Sequence, residues 1–367
     1  MTMHIPPIVI LVCLASGGSA LAQSAGSGAR FTTSQSCMSS SCHGGGVGKD
    51  AGIIFKKLDK HTTAHGFLGS ARSAQIAQQL QIADPTTAAR CTVCHSPAQT
   101  LLPARFVAGA KPEDGVSCES CHGPAEPWLR FHTRKDVSHE QRVAAGLREL
   151  NDFSARATAC IACHLNIDSE LVRAGHPEMF FELDGQVLRQ PPHYKDEGTW
   201  IGPRRWLTGQ AAALRELSWK LATKRDDDLV LRWRALVWLL RQSSEGGALP
   251  QNEEFAAMQS ASDRLARTAA RTEWTKAKAD VLLRKYAALS GEFRQSNLDA
   301  LALRRRGEVL VLAIDRLWAA LKKEGGMASE NFDKALVVLA GESKAGFEAP
   351  KFAAALEQLE VALERPR

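Results

Sequence analysis

Gly115-Val-Ser-Cys-Glu-Ser-Cys-His-Gly-Pro124 sets two thiols three positions apart, with an imidazole directly behind the second and a glycine-proline stop behind that. The same Cys-x-x-Cys-His order recurs at Cys91-Thr-Val-Cys94-His95 and at Cys160-Ile-Ala-Cys163-His164. A wider version stands at Cys37-Met-Ser-Ser-Ser-Cys42-His43. Shuffling a composition of nine Cys and eleven His would yield about 0.01 such matches, so three regular copies are a signal. The chemistry that needs these residues in this order is c-type haem attachment. Two thiols add to the porphyrin vinyl groups, and the adjacent histidine is the side chain able to turn under the iron. Beside three regular sites, His43 makes the widened pair a fourth site, in preference to a disulfide with an incidental histidine.

The cysteine count supports this division. Ile8 to Ala15 is an apolar run too short to span a bilayer, and Ala20-Leu21-Ala22 is a cleavage pattern, so residues 1–22 read as a secretory signal peptide. Cys13 leaves with it, and the remaining eight cysteines fall in four pairs: Cys37 and Cys42, Cys91 and Cys94, Cys118 and Cys121, Cys160 and Cys163. An exported chain with an even count would ordinarily suggest disulfides, and Cys-x-x-Cys alone would suggest zinc or redox chemistry. The histidine after every pair argues against both. The expected location is the periplasm.

With His43, His95, His122 and His164 as proximal ligands, each iron has a second face to fill. The other histidines beyond the signal are His61, His65, His132, His139, His176 and His193, and the chain after His193 has neither His nor Cys. His132 follows Trp128 at i+4 on a short helix expected to begin near Glu126. His176 sits in Gly175-His-Pro177 and His193 follows Pro191-Pro192, both stiff backbone suited to holding a ligand in place. His61 and His65 form an i, i+4 pair on a helix expected to run towards Leu80, with His61 favoured as the ligand. His139, in a polar stretch, reads as solvent-facing or as an outer partner. Met179 is better explained by packing against Phe180 and Phe181 than as an axial ligand.

These ordered motifs, with Phe181-Glu-Leu183 and Trp206-Leu-Thr-Gly-Gln210, resemble the multihaem c-type cytochromes related to the tetrahaem cytochrome of nitrifying bacteria, over roughly residues 33 to 210. The resemblance implies four haem c groups in stacked and near-perpendicular pairs, with His61, His132, His176 and His193 as distal ligands. The first pair departs from the usual spacing, which bears on the geometry of that haem and not on its presence.

From about Trp206 the composition turns to Ala, Leu, Arg, Lys and Glu with apolar residues at helical spacing. The pattern predicts a helix over Leu229 to Leu240, one capped by Asn252 and running past Trp274 to Leu282, one from about Asn297 to Leu321, and two short ones near 330–342 and 350–364. The tryptophans read as core, and Arg304-Arg-Arg306 and Lys322-Lys323 as solvated faces. The expected class is therefore mainly α: a loop-rich tetrahaem domain over residues 23–205 and a helical bundle over 206–367.

The formal charge of +6 does not survive the cofactors. Eight propionates and four ferric centres would bring the oxidised protein near about +2 and the reduced one near about −2, which leaves no case for nucleic acid. Four distal candidates for four irons favour an electron carrier of low potential, working between redox-partner proteins and able to dock a membrane-bound complex through its helical half. The alternative is a reductase of a small nitrogen or sulfur compound, in which one iron keeps an open face.

Overall fold

The computed structural model describes residues 28–364, apart from 112, 113, 195, 244 and 345 and the side chains of 245 and 248. The expected signal segment, with Cys13, lies outside the described residues. The fold is mainly helical, and among the described residues the one β-type pairing is an isolated bridge between Phe31 and Phe106.

The first half is assembled from short pieces: α1 (Ala51–Leu58), α2 (Ala71–Gln79), α3 (Ala89–His95), α4 (Cys118–His122), α5 (His139–Ala144), α6 (Phe153–His164), α7 (Ser169–Arg173) and α8 (Leu183–Arg189). Loops and 3-10 turns join them. Among the described residues, few apolar side chains are buried before Phe153, chiefly Leu68, Ile76, Phe106, Trp128 and Val137.

The second half is the opposite. It comprises α9 (Ile201–Thr223), α10 (Asp227–Gln242), α11 (Phe255–Ala269), α12 (Lys276–Ala287), α13 (Gly291–Arg294), α14 (Ala300–Lys323), α15 (Glu330–Glu342) and α16 (Ala349–Glu364). Several of these helices carry a side-chain start signal. The Asp226 carboxylate accepts from Leu229 N at 3.1 Å to begin α10, and Asp299 accepts from Ala302 N at 2.8 Å to begin α14. Asp227 and Asp228 lie in the first turn of α10, and Lys322 and Lys323 in the last turn of α14, each favourable to the helix dipole.

The single helix expected from Asn252 to Leu282 is two. Glu254, not Asn252, precedes the first, and α11 stops at Ala269. Thr275 then accepts from Lys278 N at 3.3 Å and starts α12, leaving Trp274 buried in the connection. A hydroxyl that can cap a new helix ended a pattern that periodicity alone continued.

Helix α9 is the axis of the core. Trp206, Leu207, Leu214 and Leu217 are buried on it, and it packs against α6, α8, α10, α11 and α14. The core begins at Phe153, so α6 and α8 share one hydrophobic interior with the bundle. Position 205/206, where the domains were expected to divide, lies inside α9. In the Trp206-Leu-Thr-Gly209-Gln210 stretch, a Cβ on Gly209 would stand 2.7 Å from Leu183 Cβ, so α8 and α9 touch only because no side chain is there. Gly209→Ala is expected to destabilise the protein by about 1–3 kcal/mol through overpacking, read as a fall in the denaturation midpoint.

Trp233, Trp238, Trp274 and Trp318 are buried, as expected of core residues, and Trp219 is half-buried. The basic cluster is not a uniformly solvated face: Arg305 is buried and ion-paired, and Arg306 stacks on Trp238 at 4.9 Å.

Candidate haem sites

Three of the motifs sit at or near the end of a helix, where the last turn presents both sulfurs and the histidine together. Cys91, Cys94 and His95 close α3, Cys118, Cys121 and His122 make up α4, and Cys160, Cys163 and His164 close α6. On α6, Ile161 faces the bundle core at 1% exposure, so the fourth motif is built into the bundle's wall.

The widened motif reaches a similar arrangement by a turn. Its extra residues fold so that Cys42 N donates to Ser39 O at 2.9 Å and His43 N donates back to Cys37 O at 3.1 Å. Gly44 permits this, since a Cβ there would lie 2.0 Å from Met38 O. The two added residues are absorbed without separating His43 from the first cysteine. All eight described cysteines are free thiols.

Each motif histidine faces one other imidazole. The ring centroids are 6.3 Å apart for His43 and His132, which are stacked at 12°, and 6.3 Å for His95 and His176 at 77°. They are 6.5 Å apart for His122 and His193 at 68°, and 5.9 Å for His164 and His61 at 69°. A metal-imidazole bond is roughly 2 Å and the ring centre lies about 1 Å further on, so two rings sharing one metal ion have centroids about 6 Å apart.

Two of these rings are held neutral, the form that ligates metal. Burial, then the neighbouring His193 and Arg148, pushes His122 down to about 4, and burial, then His61, pushes His164 down to about 4.

The far ring nitrogens are also engaged. Nδ1 of His95 contacts Ala64 O at 2.9 Å, that of His132 Leu129 O at 2.6 Å, and that of His176 Pro177 O at 2.9 Å. A histidine bound through Nε2 carries its proton on Nδ1, so these carbonyls are suitable acceptors. His164 Nδ1 lies 3.3 Å from Gln186 Nε2, while Gln186 Oε1 is buried without a partner. Turning that amide over would give His164 Nδ1–H an acceptor in Gln186 Oε1, in exchange for the 3.5 Å contact from Nε2 to Phe180 O. His61 differs in facing a carboxylate: Asp59 Oδ1 at 2.8 Å, with Asp59 Oδ2 accepting from Gln190 at 2.9 Å.

Asp59 is 4% exposed. Burial acts to raise its pKa, but hydrogen bonds from the His61 ring and backbone and from Gln190 outweigh that and hold it at about 2, below the ordinary 3.8. Its stabilisation is therefore present above pH ~4 and lost as pH falls through about 2, amounting to about 2 kcal/mol. Asp59→Asn is expected to lack that component in unfolding measured as a function of pH.

The distal candidates otherwise divide as follows. His61 and His65 do not share a helix face, because Lys60–Gly69 is a 3-10 helix and α2 begins only at Ala71. With three residues per turn, positions i and i+4 diverge, and His65 turns away to Thr86 O at 3.0 Å. The expected helix from Glu126 is a looser turn, yet His132 N still bonds Trp128 O at 2.8 Å and the two rings meet edge-on at 5.4 Å. His139 pairs with Glu149 at the surface. Met179 packs beside Phe180 and Phe181, lining a small cavity with them.

Other residues have no motif to announce them. Glu119 lies between the third motif's cysteines, is 2% exposed, and accepts from Thr32 N at 3.0 Å, Thr33 N at 2.6 Å and Ala125 N at 2.6 Å, tying the start of the described chain to that turn. Arg148 donates to Ser120 O at 2.8 Å and Cys121 O at 2.7 Å. The motifs also touch one another. The Cys37 thiol hydrogen-bonds with Cys118, the Cys94 thiol with Cys163, and Cys121 lies within electrostatic reach of Cys160. These interactions link the first motif to the third, the third to the fourth and the fourth to the second.

Residues 40–123 match the family described as cytochrome c554 and c-prime. That span is well under half of the chain; it takes in Cys42 to His43, His61 and the second and third motifs, and it supports a c-type cytochrome. No curated protein and no solved structure matches the chain.

Proposed function

We propose that this chain is an exported electron carrier holding four haem c groups, each iron set between two imidazoles. The observation that carries the reading is the pairing of rings: every motif histidine faces one of His132, His176, His193 and His61 at the separation that one shared metal ion requires. The scarcity of buried apolar side chains before Phe153 is a second support, because a segment of that length needs some other interior to stay folded.

Haem supplies one-electron chemistry, and imidazole on both faces biases it towards low potential. The chain's own part is to hold the four sites in contact. The cysteine interactions link first to third, third to fourth and fourth to second, which supports the first and second sites as the ends of that series that redox-partner proteins would meet. Cys42 is exposed in the first site. The reductase alternative needs a motif histidine with no imidazole across from it, and none of the four is so placed.

For location, the signal segment argues for export to the periplasm, and no described helix is long and apolar enough to cross a membrane. Two measurements test the reading. Pyridine haemochrome analysis against protein concentration is expected to give four haems per chain, and amino-terminal sequencing of the purified protein is expected to begin at Gln23. Three haems would remove the widened Cys37 to Cys42 site from the proposal.

A further inference from the structure

The basic residues of the helical half do more than solvate it. We infer that arginines of that half, joined at the third site by Arg156 of α6, hold the sixth ligands of the second and third irons in place, by gripping an acidic residue set just past each one. This rests on the four-haem reading and assigns the helical half a function.

At the second site the link is short and stiff. His176 Nδ1 lies 2.9 Å from Pro177 O, and that carbonyl belongs to the peptide joining Pro177 to Glu178. The Glu178 carboxylate accepts from Arg305 of α14 at 2.7 and 3.0 Å and pairs with Arg232 of α10. Both guanidiniums also lie over the Phe180 ring, at 5.2 Å for Arg232 and 5.9 Å for Arg305. Fixing Glu178 fixes the plane of the Pro177 carbonyl, and that carbonyl fixes the rotation of the imidazole.

The third site repeats the device. His193 has only a long contact from Nδ1 to Pro191 O, at 3.5 Å, so its own turn orients it weakly. Three residues on, Asp196 accepts from Arg156 of α6 at 2.7 and 3.0 Å and from Arg205 of α9 at 2.7 Å. The Arg156 guanidinium also covers the Tyr194 ring at 5.0 Å, and Tyr194 meets the His193 ring edge-on at 5.3 Å. Arg156 and Arg205 are each 8% exposed, so these pairs are little screened.

The first and fourth sites lack the device. His132 is oriented by Leu129 O in its own preceding turn, and His61 by Asp59 two residues before it. They serve as internal controls.

The test uses haem-loaded protein and carbon monoxide as the probe. The native protein, reduced, is expected to bind none; binding there would overturn the four-haem, two-imidazole reading itself. In Glu178→Gln and Asp196→Asn, which keep side-chain shape and remove the charge, the sixth ligand is expected to be held tenfold or more weakly. Each variant should then bind one carbon monoxide per chain, and the double variant two. Glu178→Asp and Asp196→Glu, which keep the charge and move it by one methylene, are expected to give the same ligand loss with an unchanged denaturation midpoint. Carbon monoxide silence in all four variants would overturn the inference, as would binding at more than two irons or ligand loss that appears only with unfolding.

Discussion

Protein carrying Cys118→Ala and Cys121→Ala is expected to hold three haems or fewer and to lose protection from hydrogen exchange across residues 28–150, while α9 to α16 keep theirs. The reason is the uneven interior. Before Phe153 the buried apolar residues are few and scattered, whereas α9, α10, α11, α14 and α16 close a continuous core around Trp206, Trp233, Trp318 and Phe352. Folding a long segment costs roughly 1–2 kcal/mol per residue in backbone entropy, and side chains as sparse as Leu68, Ile76 and Val137 do not offset that. The third site is also where the first half is tied together. Glu119 binds Thr32, Thr33 and Ala125, Arg148 holds the carbonyls of Ser120 and Cys121, and Cys37 touches Cys118. Protection retained across residues 28–150 would mean that the segment has a sufficient core of its own.

His132→Gly is expected to convert one iron in four from low spin to high spin, and the reduced protein to bind one carbon monoxide per chain. Imidazole added to the oxidised variant should restore the low-spin state. The assignment comes from the stacked pair of His43 and His132, 6.3 Å apart and 12° from parallel, with Trp128 left in place to keep the cavity's wall. His65→Gly is the contrast: that ring is spent on the Thr86 carbonyl, and its loss is expected to leave every iron low-spin. A spectrum unchanged in the His132 variant would mean that the widened motif holds no six-coordinate haem, or that another residue closes it.

What could be read beforehand followed from local chemistry. Cysteine pairs with an adjacent histidine identify themselves, and the stiff settings of His176 and His193 marked them as candidates; their rings face those of His95 and His122. Helices α10, α14, α15 and α16 were legible because their apolar spacing acts within a turn or two. Which distal histidine meets which motif was not legible, since His61 and His164 lie over a hundred residues apart and meet only when the chain closes on itself. The shared face expected of His61 and His65 was misread because an i, i+4 spacing means a shared face in an α-helix and not in a 3-10 helix. The run Arg304-Arg-Arg306 looked like a solvated face because sequence shows charge and not burial; Glu178, the partner that takes Arg305 inside, lies in the other half of the chain. Asp59 and Asp196 belong to no motif and Glu119 fills a free position within one, so only the folded chain shows what each one holds.

The most direct test of the central claim is electron paramagnetic resonance of the oxidised native protein, followed by reduction under carbon monoxide. Four low-spin ferric signals and no carbon monoxide adduct are the predicted result, with His43/His132, His95/His176, His122/His193 and His164/His61 as the four axial pairs. A high-spin ferric signal in the native protein, or a carbon monoxide complex on reduction, would contradict the account and leave one of those pairs unformed.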